Sequence, residues 1–189
     1  MAAVFYLTMR DPAEKPKISP VEARRRLDFR DQELLAECEV HTHRTGGPGG
    51  QHRNKTDTAI RLVHRGTGIT VTAGETRSQH ENRERAVARL REAIAVQFRL
   101  PPVIPVVWPP EISIQAGRLR VADSNPALPH AIAIALDHFA AAHGEITIAA
   151  GSLQLTNSSL TKFLAAHPSA WVEANRIRVA AGLNPLRAN

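Results

Sequence analysis

Alternation of apolar and polar positions predicts three β-strands in the first half of the chain. Residues 37–44, 58–64 and 69–73 each alternate with a period of two, which is typical of strands. In the first strand the expected buried face consists of Cys38, Val40 and Thr42. The second and third runs are joined by the short turn Arg65-Gly66-Thr67-Gly68, so we expect them to form a β-hairpin.

Capping signals and helical spacing predict helices around and after these strands. Ser19-Pro20-Val21-Glu22 has the pattern of a helix start, with a serine cap and proline at the first helical position. Ser78-Gln79-His80-Glu81 is a second capping box, and the helix it opens should stop near Arg99, before two prolines. Residues 126–143 predict another helix. The last 45 residues have the spacing of a helix-turn-helix unit with its turn at 154–157.

Prolines mark the main division of the chain. Five of the 13 prolines fall at 101–110, which predicts a stiff, extended linker. The fold class expected from this order of elements is α+β: a small mixed β-sheet with a packed C-terminal helix, followed by a small all-α domain. The expected divisions are a flexible lead-in at 1–19, the α+β domain at 20–100, the linker at 101–122 and a helical domain at 123–189.

Charge is concentrated in the middle of the sequence. The 189 residues include 24 Lys+Arg and 18 Asp+Glu, a net charge of +6. Residues 1–43 carry a net −1, residues 44–99 a net +6 and residues 100–189 a net +1. Scattered surface charge would not collect the whole excess in one segment, so residues 44–99 are expected to face a polyanion. Aromatic residues make up only 4%, which argues against folds that stack RNA bases on aromatic platforms.

Cysteine content and hydropathy indicate a soluble cytoplasmic protein that does not contact a membrane. Cys38 is the single cysteine, so an intramolecular disulfide and a multi-cysteine zinc site are excluded. The apolar run within the first ten residues is too short for a secretion signal. The most apolar later segment, at 131–142, is interrupted by Asp137 and His138 and is not expected to span a bilayer.

The segment between the first two predicted strands has an unusual composition. In Gly46-Gly47-Pro48-Gly49-Gly50-Gln51 four glycines surround one proline. Gly49 and Gly50 permit backbone conformations closed to other residues and allow the chain to approach a partner closely. A structural hairpin turn more often uses Asn-Gly or Asp-Gly. From composition alone, a mobile surface loop and a loop that inserts into a binding partner both remain open.

This loop belongs to a longer ordered series of residues. The series consists of Thr45 to Thr56 around Gly49-Gly50-Gln51, then Ala59-Ile60-Arg61-Leu62-Val63-His64, Thr67-Gly68-Ile69, Arg77-Ser78-Gln79, Asn82-Arg83 and Ala86. At this spacing the series closely resembles the Gly-Gly-Gln (GGQ) domain of class I peptide chain release factors. The resemblance covers residues 37–99, about a third of the chain, and makes a merely mobile loop a poor account of the glycines.

The resemblance implies an activity and a site. In the family, the Gly-Gly-Gln loop enters the peptidyl transferase centre of the ribosome and triggers hydrolysis of the ester between peptide and tRNA. Carried over here, the catalytic residues are Gly49, Gly50 and Gln51: the Gln51 backbone N–H stabilises developing charge, and its side-chain amide shapes the water pocket. No cofactor and no metal are implied. In the family this glutamine is also a methylation target, so a glutamine methyltransferase is an expected partner and Gln51 its site.

The implied partners are peptidyl-tRNA and the large ribosomal RNA (23S type) near the peptidyl transferase centre. Basic residues around the loop are the candidates for phosphate contacts, which position a protein without reading base sequence. The expected rRNA-binding residues are Arg44, Arg53, Lys55, Arg61, Arg77 and Arg83, with Arg65 as a weaker candidate. The protein is expected to be a monomer. His41, His43 and His52 do not have the spacing of a metal site.

Codon reading is not expected. Complete release factors read stop codons with separate domains, and 36 residues before the first strand are too few for that apparatus. Ser19-Pro20-Val21 is interpreted as a helix cap and not as a codon-reading tripeptide. The sequence is therefore similar to the stand-alone group that frees peptides from stalled ribosomes. Some members of that group use a long basic C-terminal tail in the mRNA channel. No such tail is evident here, because the basic residues among the last 20 are only Arg176, Arg178 and Arg187.

Two alternatives from other functional classes stay open. The C-terminal helix-turn-helix spacing is also found in modules that bind DNA or RNA, although residues 157–164 offer only Asn157 and Lys162 for a groove. A ribosome-binding protein that has lost hydrolysis is the other alternative, and the intact Gly49-Gly50-Gln51 argues against it.

Overall fold

A computed structural model of the protein describes residues 7–8, 16–43 and 58–187. The chain divides into two compact units, Met1–Ile94 and Ala95–Asn189. The first contains a four-stranded sheet and the second is largely helical, so the α+β fold class is confirmed. None of the helices in the described ranges is long and apolar enough to span a membrane.

The sheet of the first unit is antiparallel at every described pairing, where a mixed sheet was expected. Its strands are β1 (Leu7–Thr8), β2 (Cys38–His43), β3 (Ala59–His64) and β4 (Thr70–Ala73), in the order β1-β4-β3-β2. β3 and β4 form the expected hairpin, with Leu62 paired to Val71. The fully buried side chains of β3 and β4 include Ile60, Leu62 and Val71.

The prediction of a buried face along β2 is wrong beyond its first residue. Cys38 is buried, but Val40 is 42% exposed and the remaining β2 side chains are exposed as well. The reason is the strand order: among the described strands β2 pairs with β3 alone and forms the edge of the sheet. Edge strands are less covered than central ones, so the alternation in sequence is not matched by alternation in burial.

Local sequence explains where the helices of the first unit begin. They are α1 (Pro20–Arg25), a 3₁₀ turn (Arg26–Asp28), α2 (Asp31–Ala36) and α3 (Gln79–Gln97). Ser19 and Glu22 form the predicted reciprocal cap: the Glu22 N–H donates to the Ser19 hydroxyl over 3.2 Å, and the Ser19 N–H donates to the Glu22 carboxylate over 2.8 Å. At α3 the Glu81 N–H donates to Ser78 Oγ over 3.2 Å. The buried apolar residues of α3 include Ala86, Val87, Leu90 and Ile94.

The second unit consists of a short hairpin and four helices. The helices are α4 (Leu128–Ala141), α5 (Ile146–Ser152), α6 (Asn157–Ala166) and α7 (Pro168–Ala180). The turn between α5 and α6 lies where the sequence predicted it. The hairpin, β5 (Ser113–Gln115) and β6 (Arg118–Arg120), lies within the segment expected to be an extended linker, so residues 113–120 correct that expectation. β6 contacts α6.

The core of the second unit is formed mainly by small and branched apolar side chains. The largest of those fully buried are Ile132, Leu136, Phe139, Leu153, Leu160 and Leu164. The two tryptophans of the chain, Trp108 and Trp171, both belong to this unit and are both half-buried.

Candidate functional site

The glycine-rich segment joins two neighbouring strands at one end of the sheet. β2 ends at His43, β3 begins at Ala59, and these two residues are directly paired in the antiparallel ladder. The predicted catalytic residues Gly49, Gly50 and Gln51 and the basic residues Arg44, Arg53 and Lys55 lie outside the described residues. The structure therefore describes the two strands that flank residues 44–57 and the contacts of Thr58, the end at which the chain re-enters the described residues.

Asn82 fastens that end to the rest of the unit. Its side chain is fully buried in the first turns of α3. The amide nitrogen Nδ2 donates to the Thr58 carbonyl over 2.8 Å and to the Thr76 carbonyl over 2.9 Å. The amide oxygen Oδ1 accepts from the Thr76 N–H over 3.1 Å and from Thr76 Oγ1 over 3.2 Å. Thr58 comes immediately before β3. The Asn82 side chain therefore links the start of β3 to α3 and to the connection between β4 and α3, which contains Thr76.

Only an amide fits this position without leaving a buried polar group unpaired. Both donor positions and the acceptor oxygen of the Asn82 side chain are used, as buried polar groups require. Asparagine favours caps and turns over helix interiors, so its presence in α3 has to be explained by these tertiary contacts. Sequence reasoning included Asn82 only as part of the resemblance and missed this role. Its place inside a helix was the available signal.

Three predicted rRNA-binding residues lie within the described part of the chain and are free to contact a partner. Arg61, Arg77 and Arg83 are all exposed, and within the described ranges none of them forms an ion pair or hydrogen bond. Arg77 precedes α3 and Arg83 lies in its second turn, next to Asn82. The end of β4 pairs with the start of β3, through Ala73 and Ile60, so Arg77 and Arg83 follow the same end of the sheet as the glycine-rich segment.

Two other arginines of α3 are engaged within the fold. Arg89 donates to the Thr72 carbonyl and forms an ion pair with Glu75 at 2.8 Å. Arg91 donates to Asp31 and to the Phe29 carbonyl, each over 2.6 Å. Arg83 thus differs from Arg89 and Arg91: it is available to an anion, whereas the other two stabilise the unit.

Arg65 lies at the opposite end of the sheet. It follows His64, which pairs with Cys38, and its side chain donates to the Ala36 carbonyl over 2.6 Å. Ala59 and His64 are five residue steps apart on an extended strand, a distance of about 17 Å. Arg65 therefore lies at the far end of β3 from Ala59, the first residue of that strand.

A buried polar cluster occupies this opposite end. His64 Nδ1 accepts from the Thr67 N–H over 3.0 Å, so the neutral ring carries its proton on Nε2 and donates to Glu37 over 2.9 Å. Arg26 donates to both oxygens of Glu37, over 2.9 and 3.1 Å. The Arg26 contact lowers the pKa of Glu37, and burial lowers the pKa of His64. The cluster holds α2, β2 and β3 together.

The described residues form no metal cluster, and their cysteine is protonated. In these ranges no three His, Cys, Asp or Glu side chains are close enough together to hold a metal ion, and His41 and His43 are exposed on β2. Burial raises the pKa of the Cys38 thiol to about 11, so it stays protonated at neutral pH. Cys38 is thus a core residue, as the sequence suggested, and its Sγ donates to the Leu34 carbonyl over 3.2 Å.

Comparison with known proteins finds similarity over the same part of the chain. A family model described as the RF-1 domain matches residues 32–100. Peptide chain release factor 1 of Caldicellulosiruptor bescii is 47% identical over 76 residues, which cover 40% of this chain and 19% of that protein. Peptide chain release factor 2 of Paramagnetospirillum magneticum is 54% identical over 56 residues, covering 30% of this chain and 15% of that protein. The chain thus spans about a fifth or less of the length of these curated relatives.

Proposed function

We propose that the chain is a member of the class I peptide chain release factor family and hydrolyses the ester linking a peptide to tRNA on the ribosome. The match of residues 32–100 to the RF-1 domain model and the similarity to release factors 1 and 2 support this proposal. The observation that carries the proposal is the position of Gly49-Gly50-Gln51. In the sequence these residues lie inside the matched range and between two strands, β2 and β3, that pair with each other; Asn82 holds Thr58 at the start of β3. A reactive tip needs such support, because catalytic geometry is lost when the groups around it move by about an ångström.

In the proposed mechanism the tip supplies positioned donors and no nucleophile. The Gln51 backbone N–H donates to the oxygen that gains negative charge during hydrolysis, and the side-chain amide of Gln51 orients the attacking water. One preorganised donor of this kind contributes about 3–4 kcal/mol, or roughly a factor of 10² to 10³ in rate. Gly49 and Gly50 let the backbone come close to the reacting ester. The remaining proton transfers fall to RNA and substrate groups.

Hydrolysis is proposed to be independent of the codon, as in rescue of stalled ribosomes. Ser19-Pro20-Val21 supports this part of the proposal, because the Ser19 hydroxyl is engaged with Glu22 at the start of α1. Beyond the matched range, residues 101–187 contain a small hairpin and four helices. We further propose rRNA phosphate contacts at Arg44, Arg53, Lys55, Arg61, Arg77 and Arg83, N-methylation of Gln51 by a glutamine methyltransferase, and action as a cytoplasmic monomer.

Peptide release from defined ribosome complexes tests the proposal. Purified protein is added to ribosomes carrying labelled peptidyl-tRNA in the P site and a stop codon, a sense codon or no codon in the A site. We expect release from the complex that has no codon in the A site. We expect no preference for the complex with a stop codon over the complex with a sense codon. Release only at a stop codon would contradict codon independence. Absence of release from every complex would overturn the enzymatic assignment and favour a ribosome-binding protein without hydrolysis.

The mechanism is tested by a matched pair of glycine variants. Gly50→Ala should lower the release rate by about 10² or more, as expected when a preorganised donor is misplaced. Gly151→Ala is the control, since a Cβ at this exposed position of α5 meets no atom within 4 Å. An unchanged rate in Gly50→Ala would remove the tip from the mechanism, whatever the activity of the wild-type protein.

A further inference from the structure

We propose that a groove in the second unit binds the phosphate backbone of an RNA strand. The groove, called here the α6 groove, has a volume of about 1010 Å³ and lies between α6 and the β5–β6 hairpin. Residues 116 and 118–123 line one side, and residues 156–167 supply the other. All the residues that line it belong to the second unit.

The hairpin side of the groove is fixed to α6 by two hydrogen bonds. The Thr156 N–H donates to the Gly117 carbonyl over 2.9 Å, and the Leu119 N–H donates to Ser159 Oγ over 2.9 Å. The turn itself has positive φ at both central residues, 48° at Ala116 and 70° at Gly117, as in the two-residue turns that suit β-hairpins. The backbone of β6 is therefore fixed before any partner binds, and so are the starting points of its side chains.

The basic residues of the groove are free, whereas three other arginines of the unit are engaged. Arg118 and Arg120 alternate on β6 and project from the same face of the strand, and Lys162 lies on α6. All three are exposed, and in the described part of the chain none of them takes part in an ion pair or hydrogen bond. The single acidic residue in the lining is Asp123.

The contrast with the rest of the unit indicates that this is a binding surface. Three other arginines have internal partners: Arg99 pairs with Asp137, Arg176 with Glu173, and Arg178 donates to the Gly144 carbonyl. The three cations of the α6 groove thus form a local excess within a segment of small net charge. The hairpin also supplies the arginines that the helix-turn-helix pattern lacked when α6 was judged alone.

The lining favours contacts with phosphates over contacts with bases. Exposed hydroxyls of Thr156 and Ser158 add donors beside the three cations, and such groups bind phosphate oxygens without sequence preference. The aromatic side chain in the lining, Phe163, is only 7% exposed and offers no platform for base stacking. The choice of RNA over DNA rests on the proposed function, which brings the protein to a ribosome.

The test measures RNA binding by the full chain as salt is varied. The probe is a fluorescein-labelled 20-nucleotide uridine oligomer, and fluorescence anisotropy gives Kd at several salt concentrations. The groove variant is Arg118→Gln/Arg120→Gln/Lys162→Gln. The matched control is Lys17→Gln/Arg25→Gln/Arg187→Gln, which removes two arginines and one lysine that are exposed and lie outside the groove. Each phosphate contact contributes about 0.7 to the slope of log K against log salt for a single strand.

We expect the groove variant to lower that slope by about 2, and the control to change it by less than half as much. Photo-crosslinking with 4-thiouridine in the same oligomer should label peptides from residues 113–123 or 156–167. A slope equal to that of the control, or crosslinks confined to the first unit, would overturn the proposal. Preferential binding to a duplex DNA of any sequence, or displacement of the RNA by poly-glutamate at equal charge, would assign the groove to another partner. Peptide release by Gly50→Ala is measured separately, so loss of release does not decide RNA binding here.

Discussion

Asn82→Asp tests the hydrogen bonds by which Asn82 holds Thr58, at the start of β3, and Thr76. The change keeps the size of the side chain and the acceptor oxygen that serves Thr76. It replaces Nδ2, which donates to the Thr58 and Thr76 carbonyls at 2.8 and 2.9 Å, by a second oxygen. Two hydrogen bonds become contacts between oxygens at a site with no exposure to solvent.

The expected loss of stability can be worked from these two bonds. Each is worth about 1 kcal/mol net, and a buried carbonyl left without a donor adds a penalty of about 1–3 kcal/mol. Partial relaxation of the site toward solvent reduces the sum, so we expect the first unit to lose about 2–4 kcal/mol at pH 7. The loss should shrink as pH falls toward 4, because the protonated carboxyl is favoured by burial and can again donate to one carbonyl.

Hydrogen exchange followed by mass spectrometry measures this effect locally. Peptides covering β3 and β4 should exchange faster in Asn82→Asp, by the factor that corresponds to the lost free energy, and α4 peptides should not change. Asn125→Asp is the control: Asn125 has one donor bond, to the Glu111 carbonyl at 3.0 Å in an exposed position, and keeps its acceptor bond from the Ala127 N–H. A change below about 0.5 kcal/mol in β3 and β4 would refute the assigned hydrogen bonds.

Further predictions concern single residues in both units. Gly144→Ala should destabilise the second unit by about 1–2 kcal/mol, because φ is +78° and a Cβ would lie 2.8 Å from Arg178 Cγ; an unshifted calorimetric transition would contradict this. Gly151→Ala should instead stabilise it by about 0.4–1 kcal/mol in the same scan. Cys38 should resist iodoacetamide at pH 8 in the native protein and react on unfolding; rapid native labelling would argue against its burial. Because burial lowers the pKa of His64, the neutral ring stabilises the fold above pH 6.5, and this contribution should fade as pH drops below 6.5 toward the folded pKa. Urea titrations at pH 7.5 and pH 5.5 measure this contribution to the free energy of unfolding. Equal stability of His64→Gln and the wild type at both pH values would show that the contribution is absent.

Local chemistry made the helices and the hairpin of the first unit predictable. Ser19 and Ser78 cap the helices that their sequence context predicted, because a hydroxyl placed before a helical run has few other roles to fill. The turn at 65–68 joins the two strands as expected. By contrast, the burial of Val40 depends on which strands lie beside β2, and alternation along one strand does not carry that information.

Long-range contacts explain what sequence reasoning missed. The β5–β6 hairpin has only Ile114 and Leu119 as apolar positions and turns at Ala116-Gly117, so it lacked a strand signal among the prolines. Arg118 and Arg120 form a groove only together with α6, which lies about 40 residues later in the chain. The role of Asn82 likewise depends on Thr58, 24 residues earlier. Spacing along the chain predicts elements, whereas these pairings arise only when the elements pack.

The placement of Trp108 and Trp171 in one unit has a consequence for spectroscopy. Because the chain has no other tryptophan, tryptophan fluorescence excited at about 295 nm reports the environment of the second unit. A variant such as Asn82→Asp could unfold the first unit while the tryptophan emission spectrum stays native. Far-ultraviolet circular dichroism senses both units, so a gap between the two melting curves measures how independently they unfold. A tryptophan introduced at Phe29, which is half-buried in the first unit, would give that unit an optical signal of its own.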